Sequence, residues 1–401
     1  MNNPPANPNP LSQRIGIIGG GQLGKMMILE ARKLSFRVVV LDPTPGCPCH
    51  GICDEHIVAA FDDREAIAAL AEKCDVITYE FEDIDAGALL ELERRGKRVY
   101  PTASSLLIIQ DKFLQKQALK EGGIPVPEFA CCGSAADVRV LGEKWGWPLI
   151  LKARRGGYDG KGNAVAGSAG EAGEAAASLG RGDFFAEKWI NFDMEVSVLA
   201  CRGLDGSVAV YPVGMNEHRE SILRRSTVPA PISEKAARSA SEIAGKVMRV
   251  FGGVGMFGVE MFVCGDEVLV NEVAPRPHNS GHYTIESCVT SQFANHIRAV
   301  AGLPLGSPEM TVGAAVMENI LGSGETEGPG SAGGQNRING TAVPAPLYGA
   351  EAALAVPGVS LHVYGKERSA RNRKMGHLTA VGRTVGEARG RAAEAMRSIR
   401  I

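Results

Sequence analysis

Residues 14–42 read RIGIIGGGQLGKMMILEARKLSFRVVVLD, and this stretch decides the fold. Ile15-Gly16-Ile17-Ile18 is a short apolar run of strand type, the three glycines after it form a turn, and residues 22–34 carry apolar side chains at helical spacing. Residues 37–41 are a second buried strand, so the chain opens β-α-β. Val76-Ile77-Thr78-Tyr79 and a helical pattern over 86–94 continue the alternation, which predicts a parallel α/β unit over 12–100. Upstream, residues 1–11 are mostly Asn and Pro and read as a disordered tail.

Beyond residue 100 the alternation gives way to an α+β mixture over 101–310. A helix is expected over 104–121, and Pro125 and Pro127 then force an extended link. Strands near 149–153 and 184–189 flank a glycine-rich turn and an alanine-rich helix over 170–179. Strands 196–201 and 207–213 pair, 234–251 is an amphipathic helix, and 257–263 with 267–273 makes a hairpin about Gly265-Asp266. Residues 321–340 hold seven glycines and read as a mobile loop inside a last unit, 311–401, with strands 361–364 and 377–381 and a closing helix.

Composition narrows the chemistry. In 401 residues, 44% are hydrophobic and 22% charged, ordinary for a folded soluble chain. With 43 Lys+Arg against 45 Asp+Glu there is no global field for nucleic acid or an anionic membrane, so any anion must meet a local site. No stretch is long and apolar enough to span a membrane, and the amino terminus lacks a signal-peptide core, so a cytoplasmic protein is expected. Nine cysteines in such a chain read mostly as reduced packing residues. The cluster Cys47, Cys49, His50 and Cys53 raises zinc, but its Cys-x-Cys spacing is not that of a zinc knuckle and no second ligand pair follows at finger spacing, so it reads as a loop.

Six constellations remain. The turn 19–24, with Asp42 ending the next strand, satisfies a dinucleotide fingerprint, although amides at a helix amino terminus hold any phosphate. KARRGGYDGKG at 152–162 surrounds Lys152 with glycines whose amides can face phosphate oxygens, without being a Walker loop. Glu187-Lys188-Trp189-Ile190 followed by Glu195 could read an adenine edge and ribose hydroxyls, or be an ordinary strand. Glu260 and Glu272 lie on two arms of the hairpin. They share a face only if the loop has an odd residue count or the ladder bulges, and together they would need a cation such as magnesium between them. NEVAPRPHNSGH at 271–282 is too polar for a packing loop and suits an anion pocket. The run Lys366 to His377 reads most simply as a solvated basic face.

Together these motifs resemble the ATP-grasp enzymes, and within them the 5-(carboxyamino)imidazole ribonucleotide synthase family of purine biosynthesis. GGGQLGKM, TYEFEDID, RRGGYDGKG, NEVAPRPHNSGHYT and RKMGHL occur in that family's order, from about residue 14 to about 383. The resemblance implies an ATP-grasp fold with an amino-terminal Rossmann-like α/β domain, a lid subdomain over about 127–190 and a small carboxyl-terminal domain. It puts Lys112 and Lys152 on ATP phosphates, each removable without loss of the fold, under a lid that includes Gly157, Gly160, Lys161 and Gly162. Glu187, Lys188, Trp189 and Ile190 would line adenine, Glu195 and His218 would contact the nucleoside, and Glu260 and Glu272 would hold Mg2+, with Asn271 standing in for an asparagine missing at Ala274. The ribonucleotide would meet Gln22, Leu23, Glu80, Tyr158, Asp159, Arg276, His278, Asn279 and Ser280, and its phosphate Lys366, Arg373 and Lys374. The implied reaction uses ATP to turn bicarbonate into carboxyphosphate, which carboxylates aminoimidazole ribonucleotide; a homodimer is implied as well. Ser221 stands where glycine is expected, which leaves the shape of that loop open. A formate-dependent transformylase of the same superfamily and a NAD(P)-binding dehydrogenase or sensor are the competing readings.

Overall fold

The computed structural model describes residues 10–157, 162–180, 183–323, 337–338, 341–342 and 345–401. The opening β-α-β forms as its periodicity dictates: strand Arg14–Ile18, helix Gln22–Lys33, strand Arg37–Leu41. These belong to a parallel five-stranded sheet in the order Glu55–Ile57, Arg37–Leu41, Arg14–Ile18, Val76–Tyr79, Arg98–Val99. Its middle strands are buried on both faces, which is why they read as unbroken apolar runs.

A four-stranded antiparallel sheet follows, in the order Phe129–Cys132, Phe184–Lys188, Leu149–Ala153, Asn163–Ala166. The largest sheet, also antiparallel, runs Glu267–Ala274, Gly255–Cys264, Met194–Arg202, Gly214–Arg219, Ile222–Val228, Ala314–Leu321, Lys374–Gly382, Val359–Val363, with Val208–Val210 paired to Met194–Arg202. Strands expected in the last unit therefore extend this central sheet. Helix Glu234–Phe251 lays Ala240, Ile243, Ala244, Val247 and Met248 across it, at the i, i+3, i+4 spacing that an amphipathic helix needs.

The single helix expected over 104–121 is two, Ala103–Gln110 and Lys112–Glu121. Asp111 breaks it: its backbone is extended, and its carboxylate accepts from the amides of Phe113 and Leu114 as an N-cap. Most of the 321–340 stretch lies outside the described residues.

One buried histidine ties the parallel sheet to the central one. His296 Nδ1 accepts from the Met256 amide at 3.0 Å, so its Nε2 carries the proton and donates to Thr78 Oγ1 at 2.8 Å. Protonating Nδ1 would break this link, and burial pushes the pKa of His296 down to about 3; His282 and His377 are driven the same way. The unfolded chain protonates first as pH falls below 6.5. The stability that neutral His296 contributes is thus present above pH 6.5 and lost progressively towards pH 3. Urea melts should show stability falling below pH 6.5 by about 1.4 kcal/mol per pH unit for each such histidine. A flat profile from pH 7 to pH 5 would contradict it.

Candidate active site

The hairpin decides the site. Its turn, Gly265-Asp266, has an even residue count, and Cys264 pairs with Glu267, Val263 with Val268 and Met261 with Val270. In that register Glu260 would face Asn271. The ladder instead shifts between Glu260 and Met261, leaving Asn271 as the extra residue and setting Glu260 directly opposite Glu272. Side chains of directly opposed residues share a face, so the two carboxylates stand together. Burial and then Glu272 push the Glu260 carboxyl up to about 7. Lys112 Nζ, 3.0 Å from Glu272 Oε2, holds Glu272 down to about 2, an attraction that solvent partly screens because 41% of that side chain is exposed. Two acids side by side thus share one proton near neutrality, as expected of a pair waiting for a cation.

Lysines face them from a second layer. Lys112 opens helix Lys112–Glu121, and Lys116, one turn on, is buried. Glu187 pairs across the four-stranded sheet with Ile150, so Lys152, two residues along, lies on the same face. Glu187 meets Lys116 at 2.5 Å and Lys152 at close contact, and Lys152 also donates to Asn271 Oδ1 at 3.0 Å. Burial works against the Glu187 charge, but the two lysines outweigh it and lower its pKa, while burial brings Lys116 down to about 8. Sequence reasoning missed Lys116; its only signal was the i, i+4 spacing from Lys112. The same cluster commits the Glu187 side chain, leaving that strand's end only its backbone and neighbours for a base. Of these, Trp189 is 40% exposed and its Nε1 donates to Asn191 Oδ1 at 3.0 Å, Lys188 pairs with Glu128, and Ile190 is half-buried.

On the opposite wall, His218 Nδ1 sits 2.5 Å from Glu195 Oε2; burial opposes protonation there, and Glu195 prevails and raises the His218 pKa. His278 Nε2 is 3.4 Å from Glu260 Oε1 and its Nδ1 is 2.8 Å from Ser280 Oγ, which also meets Ser197 Oγ. Burial keeps His278 neutral, with a pKa of about 3. Arg276 pairs with Glu82 at 2.9 Å, and Asn279 exchanges amide hydrogen bonds with Asn319 at 3.0 and 2.8 Å.

The glycine turn departs from the dinucleotide reading. Gly20 N donates to Asp42 Oδ2 at 2.8 Å, and Gly21 and Gly24 donate to the two Glu80 oxygens at 2.6 and 2.7 Å. The amides that would hold a pyrophosphate are filled by the protein's own carboxylates. Gly24 cannot be otherwise, since a Cβ there would lie 2.6 Å from the Gly19 carbonyl oxygen.

Comparison with known proteins agrees with this geometry. Residues 12–110 match the ribonucleotide synthetase preATP-grasp domain, 117–293 the ATP-grasp domain, and 315–391 the phosphoribosylaminoimidazole carboxylase C-terminal domain. The N5-carboxyaminoimidazole ribonucleotide synthase of Bacillus subtilis is 40% identical over 367 residues, covering 91% of this chain and 90% of the relative. The chain belongs to the N5-carboxyaminoimidazole ribonucleotide synthase family. Solved structures of such synthases superpose over nearly the whole length. The Thermotoga maritima protein gives a TM-score of 0.83 at 43% identity, covering 97% of this chain and 99% of that one. The Aspergillus clavatus synthase in complex with ADP and 5-aminoimidazole ribonucleotide gives 0.85 at 34%, with the same coverage. The chain spans about two thirds of the length of longer carboxylases, such as that of Vigna aconitifolia, of which it covers 64% at 40% identity.

For a synthase of this family the remaining expected residues fall as follows. Gln22 starts the helix after the glycine turn, but Leu23 is 6% exposed within the core, so only its backbone can reach a ligand. Lys366 Nζ donates to the Lys374 carbonyl at 2.8 Å and Arg373 to the Arg368 carbonyl. The basic run also docks on the loop at 220–221, where Asn372 donates to Glu220 and Arg371 pairs with it at 3.7 Å. Gly157 and Gly162 flank the expected lid; Tyr158, Asp159, Gly160 and Lys161 lie outside the described residues. In that 220–221 loop Glu220 and Ser221 both adopt positive φ, 54° and 58°, the conformation a glycine would take without strain. Ser221→Gly should therefore stabilise the fold by about 0.5–1 kcal/mol, the left-handed strain removed less the added chain entropy. Urea melts measure it; an unchanged or lowered midpoint would mean the loop is unstrained.

Proposed function

We propose that the chain catalyses the ATP-dependent carboxylation of 5-aminoimidazole ribonucleotide by bicarbonate, giving N5-carboxyaminoimidazole ribonucleotide, ADP and phosphate. The observation that carries this reading is the bulge at Asn271, which sets Glu260 opposite Glu272 with Lys112 and Lys152 beside them. A bicarbonate oxygen attacks the γ-phosphorus, ADP leaves, and carboxyphosphate forms. The amine nitrogen then attacks the carboxyl carbon, phosphate departs, and the nitrogen gives up a proton. Phosphoryl transfer asks the protein for alignment and charge neutralisation rather than covalent help. Lys112 and Lys152 supply the fixed positive charge, and the glycines around 157–162 the lid that keeps water from carboxyphosphate.

Glu260, Glu272 and the amide oxygen of Asn271 suit a hard divalent ion, and the proton shared by the two acids marks where positive charge belongs. When bound there, magnesium neutralises charge developing on the transferred phosphoryl group. Glu195 with His218 stands at the nucleoside, and Lys188, Trp189 and Ile190 at the base. Gln22, Glu80, Tyr158, Asp159, Arg276, Asn279 and Ser280 take the ribonucleotide, whose phosphate meets Lys366, Arg373 and Lys374. His278, kept neutral by burial beside Glu260 and Ser280, orients the reacting amine through its ring nitrogens. The same reading divides the chain into an amino-terminal domain over 12–100, an ATP-grasp domain over 101–310 and a carboxyl-terminal unit from 311. It makes the protein a cytoplasmic homodimer; no helix among the described residues is long and apolar enough to cross a membrane. ADP formation by the purified chain should require bicarbonate, Mg2+ and the ribonucleotide together. Stimulation by formate in place of bicarbonate would support the transformylase reading instead.

A further inference from the structure

The segment joining the second and third strands of the parallel sheet, residues 42–54, is the cysteine-containing loop whose residues the reaction leaves unused. Its spacing places Cys47, His50, Cys53 and His56 at successive intervals of three, with Asp42 at its root. We propose that Asp42, Cys47 and His56 form a site for a transition-metal cation of the zinc class, separate from the oxygen ligands Glu260 and Glu272. One ligand atom from each of the three residues lies within 4.8 Å of the other two. Cys47 Sγ and His56 Nε2 are 3.9 Å apart. In a tetrahedral zinc site, with Zn–S about 2.3 Å and Zn–N about 2.0–2.1 Å, that separation is about 3.6 Å, so a small closure of the loop completes the geometry.

The surroundings suit an ion better than a packing contact. Asp42 and Cys47 are buried, while His56 is half-buried and leaves solvent access for a fourth, water ligand. The Asp42 oxygens accept from Gly20 N and Thr44 N, each at 2.8 Å, which orients the carboxylate and leaves a lone pair on each oxygen. His56 Nε2, now 3.0 Å from the Asp42 carbonyl oxygen, exchanges that contact for the metal; its Nδ1, 3.2 Å from His50 Nδ1, then carries the ring proton and donates it to His50. As the metal–sulfur bond forms, the Cys47 thiol proton leaves to solvent. Cys47 packs against Gly20, where an added Cβ would lie 2.5 Å from its sulfur. The ion would thus clamp this loop onto the glycine turn and stabilise the amino-terminal sheet. The sequence pattern grouped Cys47 with Cys49, His50 and Cys53; the parallel pairing of residues 37–41 with 55–57 is what brings Asp42 and His56 to Cys47 instead.

The test titrates metal-stripped full-length protein with Co2+ in excess Mg2+, which keeps the carboxylate pair occupied. One equivalent should bind with a thiolate-to-cobalt charge-transfer band, and Zn2+ should displace it. Cys47→Ser should abolish the band, His56→Gln should weaken binding by at least about tenfold, and Cys131→Ser, at an exposed cysteine elsewhere, should change nothing. Zn2+ should raise the melting midpoint of the parent and not of His56→Gln, whose half-exposed position spares the fold. Absence of the band, or a band that survives either Cys47→Ser or His56→Gln at full affinity, overturns the site.

Discussion

Glu272→Gln is expected to lower kcat by about 10²–10³-fold while the protein stays folded. The substitution keeps the side chain's shape and removes its charge, so Glu260 loses the neighbour that raises its pKa and the pair can no longer present two negative oxygens to a cation. Lys112 loses its partner too, but with Glu272 41% exposed solvent compensates and stability should move by no more than about 1 kcal/mol. Steady-state rates at saturating Mg2+ and ATP, with a urea melt on the same preparation, separate the two effects. A kcat within about threefold of the parent would remove the carboxylate pair from the chemistry, since electrostatic groups at a transferring phosphoryl contribute far more than that.

Lys152→Ala should cost both nucleotide affinity and stability, the latter by about 2–3 kcal/mol. Read from the sequence, Lys152 was a phosphate ligand whose removal would spare the fold. In the structure it is 8% exposed and shares Glu187, 1% exposed, with Lys116. Deleting it leaves a buried carboxylate with one partner where it had two, and an Asn271 amide oxygen without its donor. Lys112→Ala, at the solvent-screened pair, should weaken nucleotide binding with little change in stability. Paired urea melts and titrations with a non-hydrolysable nucleotide distinguish the two lysines. Equal, small stability losses in both would mean that the buried cluster contributes nothing to the fold.

That contrast shows what the sequence could and could not disclose. The parallel unit was legible because its strands are unbroken apolar runs and its helix has a clean period. The hairpin arms were legible as well, but their register was not. An even turn argues against Glu260 facing Glu272, and only the extra residue at Asn271, which no local pattern announces, restores the pairing. Asp111 reads as one polar residue inside a helix until its capping bonds and its bidentate pairing with Arg154 are seen. Lys116 with Glu187 is a contact across 71 positions, beyond the reach of any periodicity. The glycine turn matched a dinucleotide fingerprint because the backbone requirement is the same; Glu80, brought in from another strand, fills the amides that the motif leaves to a ligand.

The most direct test of the central claim follows the carbon of bicarbonate. Incubated with ATP, Mg2+, 5-aminoimidazole ribonucleotide and 13C-bicarbonate, the protein should form one ADP per labelled carbamate, with the 13C bonded to the exocyclic nitrogen and lost on acidification. ADP formed at the same rate without the ribonucleotide, or label found in no nitrogen-bound carboxyl group, would contradict the account.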